Sequence, residues 1–400
     1  MKSGYRIFAG AEKFELKPLP VYSDIVCDFL DELSRELRNE NHISGYPNIK
    51  AFSFWCRKGN IQKLKSEFMR GRIYQGRGIV FHIAPSNVPV NFAFSFVFGL
   101  LSGNANIVRV PSKENKEVEI ICEVIQELWK KETYSILAKQ NLILSYDKNS
   151  VFTQKISEIC DIRIIWGGDD TICQIRKFPL KPKALELVFA DRYSFGVLQI
   201  ESLAQCNDNE MKILAKRFYN DTYGMDQNAC STPHLLFFKA GKDFDKNRRR
   251  KYIEKFWDAV YEVAAQEYSL ENIKASDKYM DLCKLAIEQE NCKWGVKKEN
   301  LLYVMELQKL PENITRLRGR YGLFFQYEIC ELEEITPFIQ QKIQSMLYFG
   351  VDRTELERFV ELGHMSGIDR IVPFGNALDI GVFWDGYDIV TQLSRVIEIV

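Results

Sequence analysis

The strongest constraint on the fold lies between residues 79 and 189, where short apolar runs alternate with stretches of helical spacing. The runs IVFHIA, IVRV, NLILSY, IRIIW and ALELVF are rich in β-branched residues and have no polar alternation, as expected of strands buried on both faces. PSNVP breaks the first run, NFAFSFVFGLLS follows with helical length, and GNAN stops that helix before the next strand. A second helical stretch, 113–131, puts Val118, Ile121, Cys122, Ile125, Leu128 and Trp129 on one face. Strands joined by helices cannot pair as hairpins. Each connection crosses the sheet, leaving parallel strands side by side with helices on both faces. The expectation is an α/β chain whose first lobe is a parallel, doubly wound sheet of the kind that binds nucleotides.

With 400 residues, and roughly 150 per domain as a prior, the chain has room for two or three lobes. Residues 1–75 read as an N-terminal helical layer, with Ile25, Phe29, Leu33 and Leu37 at helical spacing behind the cap candidate Ser23. Residues 76–193 form the first sheet. A second lobe over 194–370 opens with SFGVLQI and carries helical stretches at 209–219, 247–268, 277–290 and 337–348. The segment 371–400 is aromatic and irregular, and is expected to return to the first lobe or to an oligomer interface. Acidic and basic residues balance at 54 each, so no global field favours nucleic acid or an anionic membrane. The most apolar stretch, VPVNFAFSFVFGLL, is too short to span a bilayer, and the N-terminus lacks a secretory pattern, so a cytoplasmic protein is expected. The ten cysteines never fall at C-x-x-C spacing and only four histidines are present, so no metal site is expected.

Several residues stand out chemically. Asn87, flanked by Pro85 and Pro89, sits where a buried strand ends; it reads either as a side-chain donor into the crevice or as a helix cap. Cys230, in DQNACSTP, precedes a strand in a polar loop, a better setting for a nucleophile than the apolar faces holding other cysteines, although a buried thiol is the alternative. Gly167 and Gly168 follow a strand, where missing side chains admit a ligand or simply make a turn. Arg109 and Ser112 follow another, in a place suited to a ribose or its phosphate, or to an exposed turn. His82, inside an apolar strand, reads as a core histidine before a base. His234 either lies near the thiol or, if it begins the strand, faces away. The basic run 246–255 is a solvated helix face or a contact for coenzyme phosphates. No G-x-G-x-x-G occurs, which argues against an ordinary dinucleotide turn.

Taken in order, HIAPSNVPVNFAFSFVFGLLSGNANIVRVPS, IIWGGDD, DQNACSTP, GIDRIVPFG and WDG resemble the aldehyde dehydrogenase superfamily. Within it they are most similar to the acyl-CoA reductases that serve as the reductase subunit of the bacterial luminescence fatty-acid reductase complex. The resemblance implies an aldehyde dehydrogenase-like α/β fold, with a Rossmann-like cofactor domain and an α/β catalytic domain. It makes Cys230 the acyl-accepting nucleophile and Asn87, with the Cys230 backbone N–H, the oxyanion donor. It sets Pro85, Ser86, Gly167, Gly168, Arg109 and Ser112 along a nicotinamide cofactor, with His82, Phe374 and Trp384 toward the substrate. Ordinary members carry a ribose-binding glutamate where this chain has Ser112, which favours NADPH over NADH because a carboxylate would repel a 2′-phosphate. ELVFADRYSF, aligned so that it ends on Arg192, puts no carboxylate at the water-activating position, although Glu186 is near. The implied activity is reduction of an acyl-CoA or other acyl thioester to an aldehyde, in a homo-oligomer with a possible acyl-activating enzyme partner. The alternatives are a CoA-acylating short-chain aldehyde dehydrogenase, a cysteine acyltransferase or thioesterase, and a non-catalytic partner protein.

Overall fold

The computed structural model describes residues 4–11, 15–39, 45–68, 72–86, 88–147, 150–288 and 292–400. The chain forms two compact units, residues 1–191 with 380–400, and residues 192–379.

Up to residue 191 the first unit has, among the described residues, seven strands: β1 (Tyr5–Gly10), β2 (Ile73–Gly76), β3 (Ile79–Ile83), β4 (Ala105–Arg109), β5 (Asn141–Tyr146), β6 (Ile162–Trp166) and β7 (Leu185–Phe189). Six of them make one sheet in the order β1-β5-β4-β3-β6-β7. All pairings are parallel except β1 with β5. From β3 the chain winds one way through β4 and β5, then returns to add β6 and β7 on the other side. The topological switch therefore falls between β3 and β6, and such crevices are where doubly wound sheets bind ligands. Every residue of β4 and β6 is buried, which explains why neither alternates apolar with polar residues, although β4 holds Asn106 and Arg109 and β6 holds Arg163.

His82, Asn106 and Asn141 inside this sheet are joined by hydrogen bonds. Asn106 of β4 accepts at Oδ1 from, or shares a proton with, His82 Nε2 (2.9 Å), and its Nδ2 donates to Asn104 O and Asn141 Oδ1. The helix Asn91–Leu101 that follows β3 is apolar on nearly every face, because it is buried between the sheet and outer helices such as Asp24–Leu37. The last residues complete this unit. The helix Ile389–Leu393 packs on Asn91–Leu101, Asn104 Nδ2 donates to Leu393 O (2.8 Å), and the terminal strand Ser394–Ile397 pairs antiparallel with β2.

The second unit holds β8 (Tyr193–Gln199), β9 (Pro233–Lys239), β10 (Cys292–Lys298), β11 (Leu302–Leu307), β12 (Leu323–Ile329), β13 (Ile343–Phe349) and β14 (Arg370–Pro373). They form one sheet in the order β10-β11-β12-β9-β8-β13-β14, parallel throughout except for the edge strand β10. The helices Asp208–Thr222 and Lys246–Glu267 pack on each other and cover one face around Phe218, Phe256 and Trp257.

One sequence expectation is corrected. The stretch 337–348 is not helical: the 3-10 turn Leu332–Phe338 ends and β13 begins at Ile343. Ile343, Met346 and Leu347 are buried at spacings a helix would also give. β13 lies between β8 and β14, with its first five residues all buried, so it carries no alternation to distinguish it. β1 was likewise missed, a short antiparallel edge strand within what reads as a helical layer.

Candidate functional site

The residues singled out in the first unit come together by topology. β3, β4 and β6 are neighbours, so the segments leaving their carboxyl ends are adjacent. Pro85 and Ser86 follow β3, partly and fully exposed in turn. Asn87 lies outside the described residues. Arg109 ends β4 opposite Ile83 and Leu144. Ser112 follows in an exposed bend, before the helix Lys116–Leu128 that Asn115 caps. Gly167 and Gly168 follow β6. Gly167 N donates to Phe189 O (3.1 Å), and a Cβ on exposed Gly168 would meet nothing within 4 Å, so the backbone there is open to close approach.

Arg109 is the unusual member of this group. It is 8% exposed, its guanidinium carbon lies 5.1 Å from the Tyr146 ring centroid, and its buried Nε has no hydrogen-bond partner among the described residues. A buried cation without a counter-charge is costly, and stacking on one ring offsets only part of that cost. The geometry suits an anion arriving at the carboxyl edge of β4. The helix Asp169–Arg176 after Gly168 opens with Asp169 and Asp170, so its N-terminus is ill suited to a phosphate.

In the second unit, Cys230 is a partly exposed thiol in a turn leading into β9. The sequence reaches that turn through a 3-10 segment, Tyr223–Met225, followed by two residues with positive φ, Asp226 (53°) and Gln227 (60°). Neither is glycine, so side-chain bonds must hold this backbone. Gln227 is buried; its Nε2 donates to Leu323 O (3.0 Å) and its Oε1 accepts from Gly322 N (2.6 Å), so one amide ties the turn to the start of β12. Asp226 accepts from Tyr268 Oη (2.5 Å) and pairs with Lys274 (3.1 Å). Ser194 Oγ donates to the Cys230 carbonyl (2.8 Å) and accepts from Ser345 N (3.2 Å). Thr232 Oγ1 donates to Asp221 O (2.8 Å). The backbone is thus pinned on both sides of the cysteine, which is itself half-buried.

Other candidates are committed elsewhere. His82 is wholly buried, with Nδ1 on Ser95 Oγ (2.8 Å) and Nε2 on Asn106 Oδ1; burial pushes its pKa down to about 4, so it is a neutral core residue with no open face. His234 lies within β9, stacks on Tyr193 and bonds Gly319 O through Nδ1 (3.0 Å). Phe374 is 2% exposed, with Cζ only 2.6 Å from where a Cβ on Gly196 would stand. Trp384 is buried in the core of the first unit. Glu186 pairs with Arg163 (2.6 Å) and Arg176 (2.7 Å), which occupies both of its oxygens. In the basic run, Arg249 reaches Glu328 and the carbonyls of Gly241 and Phe244, and Arg250 pairs with Glu254, the pattern of a helix face. Among the described residues no group of three potential metal ligands converges, and no helix is long and apolar enough to cross a membrane.

Sequence reasoning missed Gln227, Ser194, Thr232 and Asp221. The polar string TYGMDQNACST carries the signal, because polar residues that punctuate a turn yet prove buried must be spent on backbone.

Comparison with known proteins adds the lineage. In sequence, the chain is 22% identical over 360 residues to a long-chain acyl-protein thioester reductase of Aliivibrio fischeri, covering 85% of this chain and 68% of that protein. In structure it is similar to aldehyde dehydrogenase 21 of Physcomitrella patens, solved with succinate (TM-score 0.67, 13% identity, 93% of this chain and 84% of that one). It is also similar to 1-pyrroline-5-carboxylate dehydrogenase from Thermus with bound NAD (TM-score 0.62, 12% identity, 94% and 81%), and to the glyceraldehyde-3-phosphate dehydrogenase of Methanocaldococcus jannaschii complexed with NADP (TM-score 0.60, 13% identity, 93% and 88%). The fold is therefore that of the aldehyde dehydrogenases. Residues 54–396 match the family model described as acyl-CoA reductase (LuxC), and with that match over most of its length the chain belongs to the acyl-CoA reductase family.

Proposed function

We propose that this oxidoreductase reduces a long-chain acyl thioester, as acyl-CoA or a protein-bound thioester, to the aldehyde through an acyl-enzyme on Cys230, with NADPH as reductant. The observation that carries the proposal is the Cys230 turn: a half-buried cysteine whose backbone is fixed by Gln227, Ser194 and Thr232. A nucleophile must be reachable and must not wander, because a displacement of about 1 Å can cost on the order of 10²-fold in rate.

The Cys230 sulfur attacks the thioester carbonyl, the bond to the departing thiol breaks, and an acyl-cysteine remains. Asn87 and the Cys230 N–H are the donors assigned to the oxyanion, where loss of one donor typically costs about 10²-fold or more. A nicotinamide held along Arg109, Ser112 and Gly168 would supply hydride, and on accepting it the acyl-cysteine would become a thiohemiacetal. That adduct expels the aldehyde and returns the thiol. Arg109 and Ser112 suit a phosphate-bearing ribose, since Arg109 has no ion-pair partner among the described residues and Ser112 brings no repelling carboxylate; Gly168 supplies open backbone at the same sheet edge, beside Gly167, Pro85 and Ser86. Glu186 is held by two arginines and so is not free to activate water, which suits an acyl group destined for hydride.

The test is coenzyme consumption with tetradecanoyl-CoA, using NADPH and NADH in parallel, in wild type and Cys230→Ala. Turnover with NADPH that vanishes in the variant supports the reductase. Release of coenzyme A with both nicotinamides untouched assigns the chain to acyl transfer or thioester hydrolysis instead.

A further inference from the structure

Asp221 is a buried carboxylate that the reaction above does not use. It lies in the last turn of the helix Asp208–Thr222, 1% exposed, and no cation pairs with it among the ion pairs of the described residues. Its Oδ2 accepts from Gly375 N (2.6 Å) and its Oδ1 from Ala377 N (3.1 Å). Its backbone carbonyl accepts the Thr232 hydroxyl, two residues beyond Cys230. The segment it grips is held from the other side: Arg370 donates to the carbonyls of Ala377 (3.2 Å) and Asp379 (3.0 Å). An anion on the amides and a cation on the carbonyls fix one short turn after β14. Gly375 sits at φ +100°, which glycine adopts without strain, and a Cβ there would lie 2.9 Å from Arg217 Cγ, so the turn has no room for a larger residue.

We propose that Asp221 is a positioning residue: through its carboxylate and its backbone carbonyl it locks the Cys230 turn to the 373–377 turn, so that the nucleophile is held in register. The inference rests on Cys230 being the nucleophile. Both carboxylate oxygens are engaged, so the ionised form holds both amides, and protonation would surrender an acceptor. The charges facing the group are Asp379, which with burial disfavours ionisation, and Arg370, which with the two amides favours it. The outcome is a carboxyl raised to about 7, so the lock engages as pH rises through neutrality.

Asp221→Asn keeps the size and one acceptor but turns an amide N–H₂ toward a backbone N–H. Thr232→Val removes the other arm without touching the carboxylate. Three readouts are taken: kcat and KM for tetradecanoyl-CoA from pH 6 to 8.5, acylation of Cys230 by peptide mass spectrometry, and hydrogen exchange in peptides spanning 373–379. The expected result is a fall in kcat of at least about tenfold in both variants with KM changed less than about twofold. Exchange at 375 and 377 should accelerate in Asp221→Asn, and the wild-type rise in kcat near pH 7 should flatten in that variant. Unchanged exchange in Asp221→Asn, or full turnover in either variant, overturns the lock. Wild type that never acylates Cys230 would instead sink the proposed reaction, and exchange would still decide whether Asp221 holds the turn.

Discussion

Replacing Gln227 by alanine should destabilise the protein by about 3 kcal/mol or more, because one amide serves two buried backbone groups. The side chain is 3% exposed and satisfies Gly322 N–H at 2.6 Å and Leu323 C=O at 3.0 Å. Truncation leaves both unpaired, at about 1–3 kcal/mol each, and adds a small cavity. Glycine loses the same bonds but relieves the left-handed backbone (φ 60°), which costs a side-chain-bearing residue about 1 kcal/mol. Gln227→Gly should therefore be the milder variant, the reverse of the usual order in a folded segment. Urea unfolding followed by tryptophan fluorescence measures both, with peptide hydrogen exchange over 319–326 locating the damage. The reasoning fails if Gln227→Ala lies within about 0.5 kcal/mol of wild type, or if alanine is better tolerated than glycine.

Two further outcomes follow from buried titratable or charged groups. His82 stays neutral down to about pH 4 in the folded chain, whereas the unfolded chain protonates near 6.5. Its contribution is therefore complete above pH 6.5 and declines as pH falls toward 4, by about 3 kcal/mol in all; urea titrations at pH 7 and 5 should show a steeper loss in wild type than in His82→Gln, and equal slopes would refute the assignment. Arg109→Leu should raise the thermal midpoint of the ligand-free protein by removing a buried cation that has no ion pair among the described residues, while raising the KM for NADPH by about tenfold or more. A variant that is less stable, or that binds NADPH unchanged, contradicts the anion site.

The sheet of the first unit was legible because its strands are buried on both faces. Continuous apolar runs such as IVFHI and IRIIW, separated by helical stretches, admit few other architectures. The same logic failed at β13, where helix and buried strand write the same pattern over seven residues. The site was legible in part. Proline flanks and a glycine pair mark the segments that leave β3 and β6, and topology brings them with the end of β4 to one edge, while the cysteine in the polar loop falls in a turn fixed by buried side chains. What sequence could not show is which polar residues turn inward. Gln227, Asp221 and Ser194 look like ordinary loop and helix residues until the structure buries them, and Phe374, which the family resemblance set toward the substrate, packs against Gly196 in the core.

The central claim is that Cys230 carries the acyl group from thioester to hydride. The most direct measurement is a single turnover: mix the enzyme with tetradecanoyl-CoA without nicotinamide, map the acyl adduct by peptide mass spectrometry, then add NADPH and follow adduct and aldehyde together. The account predicts a 14-carbon acyl group on the peptide containing Cys230, discharged as an equal amount of aldehyde only after NADPH is added. An adduct on another residue, or one released as free acid whether or not NADPH is present, would contradict it.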